Sequence, residues 1–142
     1  MIPGDTPPAP AAAPTKAPVL LVDDEQAMLD VYQAALSQFF DVVTAPNTAE
    51  ASRHLQQRTF KVVVVDQFMP GENGMDFLAR VRGDHPRMQR VLVTGYMKPE
   101  VLLRGVMEAK LFRYLSKPVR MSEMVTVIQA AIVAHDATGA AS

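Results

Sequence analysis

The middle of the chain reads Val62-Val63-Val64-Val65-Asp66. Four consecutive β-branched residues predict a strand buried on both faces, because a half-exposed strand would alternate apolar with polar residues. A carboxylate inside a sheet would be costly. We therefore expect Asp66 at the carboxyl end of the strand, where open parallel sheets form their ligand crevices.

The composition of the chain favours one cytoplasmic domain. There are 142 residues, 49 % of them hydrophobic, with a formal net charge of −1 and no cysteine. This charge gives no general attraction for nucleic acid, and the lack of cysteine excludes disulfides and thiolate metal sites. No apolar run reaches the roughly 18 residues of a membrane span, and the N-terminus does not resemble a secretory signal. We therefore expect a cytoplasmic protein with no direct nucleic-acid or membrane partner.

The chain divides by composition into three segments. Residues 1–17 are rich in proline and alanine and predict a disordered tail, 18–135 predict the folded domain, and 136–142 predict a short C-terminal tail. Apolar runs predict strands at 19–22, 42–44, 62–66, 91–93 and 111–115. Five strand-then-helix repeats imply right-handed crossovers and helices on both faces of a parallel sheet. The predicted fold is a single doubly wound α/β domain, five-stranded in the flavodoxin-like order 2-1-3-4-5.

The spacing of apolar residues predicts which face each helix buries. The first helix is predicted to run for about four turns, the second from a cap at Asn47 to about Gln57, the fourth from Pro99, and the last to about His135. The residues predicted to face inward are Met28, Val31, Tyr32, Ala35, Phe39, Met75, Leu78, Val81, Val101, Leu102, Val106, Met107, Met124, Val127, Ile128, Ala131 and Ile132.

Acidic residues follow two strands that this order makes neighbours. Asp23 and Asp24 follow the first strand, and Asp66 ends the third. Three adjacent carboxylates repel one another, so the cluster favours a hard divalent cation such as Mg²⁺. Thr94 closes the fourth strand and Lys117 follows the fifth, which adds a hydroxyl and an ammonium group. A phosphoryl group suits these parts, and since the chain has no Walker loop, Asp66 would be the nucleophile.

These motifs together resemble a response-regulator receiver domain of two-component signalling. The resemblance spans roughly residues 18–135. The matching positions are Asp23-Asp24, Asp66 with Met69-Pro70 and Gly74, Thr94-Gly95, and Tyr114 ahead of Lys117-Pro118. The stretch 112–118 is also similar to receivers attached to cyclic-dinucleotide phosphodiesterase or kinase modules.

The resemblance implies a role for each acidic residue. Asp66 would accept a phosphoryl group from a histidine kinase or a histidine phosphotransfer protein. Mg²⁺ would be bound by Asp66 and Asp24 directly, by Asp23 mostly through water, and by the backbone carbonyl of Phe68.

The resemblance also implies roles for the residues on the other side of the acceptor. Thr94 and Lys117 would contact the phosphoryl oxygens, and Gly95 would leave room for the donor. Tyr114 would be a rotamer switch coupled to Thr94. The Lys117–Pro118 peptide bond is expected to be cis.

Two further features of the sequence suggest hypotheses. Phe68 and Tyr96 flank the acceptor where receivers often carry polar residues, and we expect these rings to cover the acyl phosphate and slow its hydrolysis. The fourth helix, fifth strand and fifth helix form the usual output surface of receivers. Basic residues on this surface are predicted to dock an acidic partner. They are Arg104, Lys110, Arg113 and Arg120.

Several alternatives remain open from the sequence. Tyr114 could be plain core packing, and the basic residues an ordinary solvated surface. We expect the domain to catalyse only its own phosphotransfer and autodephosphorylation, and not to be an enzyme otherwise. The alternatives are an aspartyl-phosphate hydrolase and a receiver-like interaction module that takes no phosphate. The chain is either a single-domain regulator or a receiver cut from a longer one, and the sequence does not decide which.

Overall fold

Five parallel strands form one sheet in the order β2-β1-β3-β4-β5, which confirms the predicted fold class. The computed structural model describes residues 15–141. The strands are β1 (Pro18–Val22), β2 (Asp41–Ala45), β3 (Val62–Asp66), β4 (Gln89–Thr94) and β5 (Arg113–Ser116). The helices are α1 (Gln26–Leu36), α2 (Thr48–Gln57), α3 (Gly74–Val81), α4 (Pro99–Ala109) and α5 (Met121–Ala141). Most of the predicted N-terminal tail, residues 1–14, lies outside the described residues.

Strand β3 lies at the centre of the sheet, and all five of its residues are buried. Val62 and Val64 face one core, which also contains residues of α1 and α5. Val63 and Val65 face a second core, formed with α2, α3 and the end of α4. The valine run therefore packs against helices on both sides, as its lack of alternation predicts.

Side chains of asparagine begin two of the helices. Asn47 accepts a hydrogen bond from the backbone N–H of Glu50 at 2.8 Å, at the predicted start of α2. Asn73 does the same for Asp76 at 2.9 Å and begins α3. Each bond satisfies one of the backbone donors that a helix N-terminus leaves unpaired.

The first helix is shorter than predicted. It ends at Leu36, and Phe39 lies beyond it, 49 % exposed. Val31 is also exposed, because the buried face of α1 follows Leu29, Tyr32 and Leu36 instead.

The fourth helix turns a different face inward from the predicted one. Val101 and Met107 are exposed, and Gly105 and Ala109 are buried in their place. Close packing explains this, because a Cβ atom on Gly105 would lie 2.3 Å from Cε of Met75 on α3. The helix approaches α3 through its smallest residues, which leaves larger apolar side chains on its outer face.

The last helix continues through Ala141, beyond the predicted end near His135. Asp136 therefore belongs to α5 and not to a tail. Its carboxylate lies 2.9 Å from Nζ of Lys61, at the start of β3, and 3.0 Å from Nδ1 of His135. The pair with Lys61 joins the start of the added turn to the amino-terminal edge of the sheet, whereas the pair with His135 lies within the helix.

Arg90 on β4 is a buried cation whose partners in the described part of the chain are carbonyl oxygens. It donates to Ala109 at 2.9 Å, to Met88 at 2.7 Å and to Lys110 at 3.2 Å. Burial lowers the pKa of the Arg90 guanidinium, and the nearby charge of Arg82 lowers it further. The side chain thus joins the beginning of β4 to the C-terminal end of α4.

Candidate functional site

Three carboxylates meet at the carboxyl edge of the sheet. Val22 pairs with Val65 in the parallel ladder, so Asp23 and Asp66 leave adjacent strands at the same level. One carboxylate oxygen from each of Asp23, Asp24 and Asp66 lies within 4.8 Å of the others. Asp23 and Asp66 are buried, and Asp24 is exposed. The structure therefore brings together the three acidic residues that the sequence predicted to meet.

The environment of Asp23 disfavours its charge. Burial raises the pKa of Asp23, the nearby charge of Asp66 raises it further, and a hydrogen bond from the backbone N–H of Glu25 at 2.9 Å acts in the opposite direction. Carboxylate oxygens at this spacing are the ligands that Mg²⁺ prefers in proteins. The acidic triad therefore suits a divalent metal ion, whose charge would offset the repulsion.

Lys117 approaches the central carboxylate from the opposite side. Its Nζ lies 2.9 Å from Oδ1 of Asp66, close enough for an ion pair although the two groups are not aligned as a hydrogen bond. Burial acts to lower the pKa of Lys117, but the Asp66 carboxylate outweighs it, so the pKa is raised. The backbone N–H of Lys117 donates to the Thr94 carbonyl at 2.9 Å, and the Lys117–Pro118 peptide bond is cis.

The hydroxyl of Thr94 is buried at the end of β4. Among residues 15–141, its Oγ1 has no hydrogen-bond partner. An unpaired buried hydroxyl costs free energy, so residues of this kind in a native structure call for an explanation. A ligand that accepts a hydrogen bond at this strand end would provide one.

Phe68, Gly95 and Tyr96 follow the strand ends that carry Asp66 and Thr94. The rings of Phe68 and Tyr96 are 60 % and 72 % exposed. No described residue would lie within 4 Å of a Cβ atom on Gly95. The space beside Gly95 is therefore open, and whether the two rings cover a bound phosphoryl group stays a prediction.

Tyr114 does not pack in the core, since 45 % of it is exposed. It pairs with Leu92 in the β4–β5 ladder, two residues before Thr94, so Tyr114 and Thr94 lie on the same face of the sheet. The structure therefore argues against plain core packing, and the predicted coupling between these residues stays a prediction.

The predicted output surface combines basic and apolar residues. The four basic residues Arg104, Lys110, Arg113 and Arg120 are exposed. The sequence reasoning missed a second feature: Leu103 and Met107 are 62 % and 64 % exposed and lie one turn apart on the outer face of α4. The signal for it was present, because Gly105 and Ala109 at helical spacing mark the face that packs closely.

Gln67 is a buried polar residue that the sequence reasoning also missed. It follows Asp66 directly and is 6 % exposed. Its Oε1 accepts a hydrogen bond from the backbone N–H of Met75 at 2.8 Å. Its hydrogen-bond partner lies eight residues further along the chain, so no local pattern in the sequence marked it.

A cavity of about 390 Å³ opens beside Lys117, between α1 and the loop that follows β5. It is lined mainly by apolar side chains, among them Met28, Val93 and Val119. Tyr32 also lines it, and burial together with the charge of Asp23 raises the pKa of the Tyr32 hydroxyl to about 12. Tyr32 therefore remains a neutral hydroxyl at physiological pH.

Comparison with known proteins identifies this arrangement. Residues 19–129 match the response regulator receiver domain family. The chain belongs to that family. As a receiver domain it is 33 % identical over 124 residues to the hydrogenase transcriptional regulatory protein HoxA of Cupriavidus necator. That match covers 87 % of the chain and 26 % of HoxA. The receiver thus spans about a quarter of the length of such curated relatives.

Solved structures of similar fold agree with this assignment. The receiver domain of an HD domain-containing protein from Pseudomonas fluorescens superposes with a TM-score of 0.81 at 26 % identity, over 86 % of this chain and 98 % of that one. A structure described as adenylate cyclase from Rhodopirellula baltica gives 0.83 at 30 % identity, over 88 % and 93 % of the two chains. Within residues 15–141, the receiver has no helix with the length and hydropathy to cross a membrane.

Proposed function

We propose that this receiver is a phosphorylation-dependent switch whose acceptor is Asp66. One observation supports this most strongly: the buried Asp66 carboxylate lies beside two other acids and the Lys117 ammonium, and the neighbouring strand β4 ends in a Thr94 hydroxyl that has no partner among residues 15–141. A structural aspartate would need only the ion pair with Lys117, and it would be destabilised by the two adjacent acids. A carboxylate that gains a phosphoryl group would use every one of these groups.

The chemistry is transfer of a phosphoryl group from a phosphohistidine. An oxygen of Asp66 attacks the phosphorus, a new P–O bond forms, the P–N bond breaks, and its electron pair stays on the imidazole nitrogen of the donor. The donor would be a histidine kinase or a histidine phosphotransfer protein, and the receiver would act in the cytoplasm. Self-catalysed phosphotransfer and autodephosphorylation would be its only reactions.

Each residue around Asp66 would have a different part in the phosphoryl transfer. Lys117 pairs with the phosphoryl oxygens, and Thr94 donates its hydroxyl to one of them, so the buried hydroxyl gains a partner only after phosphorylation. Asp24 and Asp66 would hold Mg²⁺ directly, with Asp23 through water and the carbonyl of Phe68. When bound, the ion supplies positive charge that offsets the charge on the transferring group.

A partner protein would recognise the phosphorylated state through the output surface. Thr94 and Tyr114 share a face of the sheet, so a hydroxyl drawn toward the phosphoryl group leaves space into which the Tyr114 ring can move. The two states of Tyr114 would then differ in what α4 and β5 present to a partner. An acidic partner fits the four basic residues, with the exposed pair Leu103 and Met107 adding apolar contact.

The length of the relatives favours a receiver that acts within a longer regulator. HoxA is about four times as long as the part matched, and its name describes a transcriptional regulator. A single-domain regulator that binds other proteins is the second candidate. In either case the described residues would act through protein contacts and not through nucleic acid.

The test is phosphorylation by a small donor. We expect incubation with Mg²⁺ and acetyl phosphate to add one phosphate, and Asp66→Asn to abolish the addition. Asp84→Asn is the matched control, because Asp84 is exposed on the loop after α3 and should leave the addition unchanged. Absence of an adduct on the unmodified chain would instead support an interaction module that takes no phosphate.

A further inference from the structure

Gln67 closes the loop that follows the acceptor. Its backbone N–H donates to the carbonyl of Val93 at 2.8 Å, which extends the β3–β4 ladder past Asp66. Its own carbonyl accepts from the backbone N–H of Gly74 at 3.0 Å, and its side-chain Oε1 accepts from Met75 at 2.8 Å. Gln67 therefore joins the end of β3 to the start of α3, and it closes the loop formed by residues 68–73.

These hydrogen bonds satisfy backbone N–H groups at the start of α3, which have no partner within the helix. Gly74 and Met75 bond to Gln67, and Asp76 bonds to Asn73. Gly74 is held so near the acceptor that a Cβ atom there would lie 2.5 Å from the carbonyl oxygen of Asp66. The peptide that joins Asp66 to Gln67 is thus fixed between β4 on one side and α3 on the other.

We propose that Gln67 is a positioning residue for the metal centre, because its hydrogen bonds hold the peptides on either side of it, and these peptides carry the Asp66 side chain and lead into the Phe68 carbonyl. The inference rests on the proposed function, in which both oxygens are metal ligands. Groups that orient the ligands of a metal ion set its affinity, and their loss usually weakens binding by about 10–100-fold. Gln67 reaches the metal only through its neighbours, so it acts on affinity and not on the transfer itself.

The experiment compares two caps of the same helix in the full chain. Gln67→Met keeps the length of the side chain and removes Oε1, whereas Asn73→Ala removes the cap of Asp76 without touching Gln67. We expect the Kd for Mg²⁺, measured by titration of backbone amide NMR shifts, to rise about tenfold in Gln67→Met. In Asn73→Ala it should stay within about twofold, although the melting temperature of both variants falls.

A second substitution and a second measurement keep the test independent of folding defects. Gln67→Glu retains an acceptor oxygen and should bind Mg²⁺ at least as tightly as the unmodified chain. In the unmodified chain, Mg²⁺ should slow amide exchange at Gly74 and Met75, because linkage is reciprocal. Acetyl phosphate labelling of Gln67→Met should be slow at low Mg²⁺ and recover at saturating Mg²⁺.

Several results would overturn the inference. Unchanged Mg²⁺ affinity in Gln67→Met would do so, as would equal weakening in Asn73→Ala, which would reduce Gln67 to a structural cap. Failure of the unmodified chain to bind Mg²⁺ would also overturn it. Failure to form a phosphate adduct while the affinities differ as expected would contradict only the proposed function.

Discussion

Replacing Thr94 with valine should make the unphosphorylated domain more stable. Thr94 is 3 % exposed and its Oγ1 has no partner among the described residues. Valine has nearly the same shape and no hydroxyl. Burying a hydroxyl without a hydrogen bond costs about 1–3 kcal/mol in proteins, so removing it should return a similar amount.

The expected gain is about 1–2 kcal/mol in the free energy of unfolding. For a domain of this size, each kcal/mol raises the melting temperature by roughly 4 °C. Urea and thermal denaturation, in buffer without Mg²⁺ or phosphodonor, would measure both quantities. The same substitution should remove the response to phosphorylation, since the hydroxyl is the group that Asp66 phosphate would attract.

The matched control is Thr44→Val on β2. Thr44 is also a strand threonine, but it is only half-buried, so solvent can reach its side chain and the change should be nearly neutral. If Thr94→Val were no more stable than the unmodified domain, the Thr94 hydroxyl would already have a partner in the resting state. The proposed reason for its burial would then be wrong.

Three other substitutions test different parts of the site. On the hypothesis that the Phe68 ring shields the acyl phosphate from water, Phe68→Asn should speed loss of phosphate from the labelled protein several-fold; an unchanged or slower rate would refute the hypothesis. Asp23→Asn should raise the free energy of unfolding at pH 7 in the absence of Mg²⁺. Because the pKa of Asp23 is raised in the folded state, the folded state binds a proton more tightly than the unfolded state, and the stability falls as the pH rises above the ordinary value of 3.8. The amide of asparagine does not titrate, so it abolishes this fall. A urea midpoint for Asp23→Asn that is lower than that of the unmodified domain at pH 7 would show that burial does not penalise the charge. Gly74→Ala should destabilise the domain by about 2–3 kcal/mol, because the backbone of Asp66 occupies the space of the new methyl group. Gly83→Ala is the control in the same denaturation assay, and it should be nearly neutral because nothing but its chain neighbours lies within 4 Å.

The sheet could be predicted from the sequence because the apolar residues of each strand show which strands are buried. An all-apolar run such as residues 62–65 has no polar face to expose, so it belongs in the centre of a parallel sheet. The order of strands then follows from chain connectivity, and the acidic residues meet because Asp23 and Asp66 end neighbouring strands. Periodicity and topology were sufficient for both conclusions.

The same reasoning failed where packing between helices decides the outcome. Val101 and Met107 have the hydropathy of core residues, yet Gly105 and Ala109 take the inner face because α4 must approach Met75 closely. Gln67 was missed for a similar reason. Its role depends on the position of α3 relative to β3, which local sequence does not encode.

The attachment of α4 is unequal at its two ends. Arg90 donates hydrogen bonds to the carbonyls of Ala109 and Lys110 at the C-terminal end of the helix, whereas Lys98, at the other end, makes no side-chain cap. We therefore expect α4 to pivot near Ala109, so that its first turn, near Pro99 and a few residues after Thr94, moves most. A change at the end of β4 would swing the first turn of α4 through the largest arc, so a spectroscopic probe at Glu100 should move while one at Lys110 stays in place.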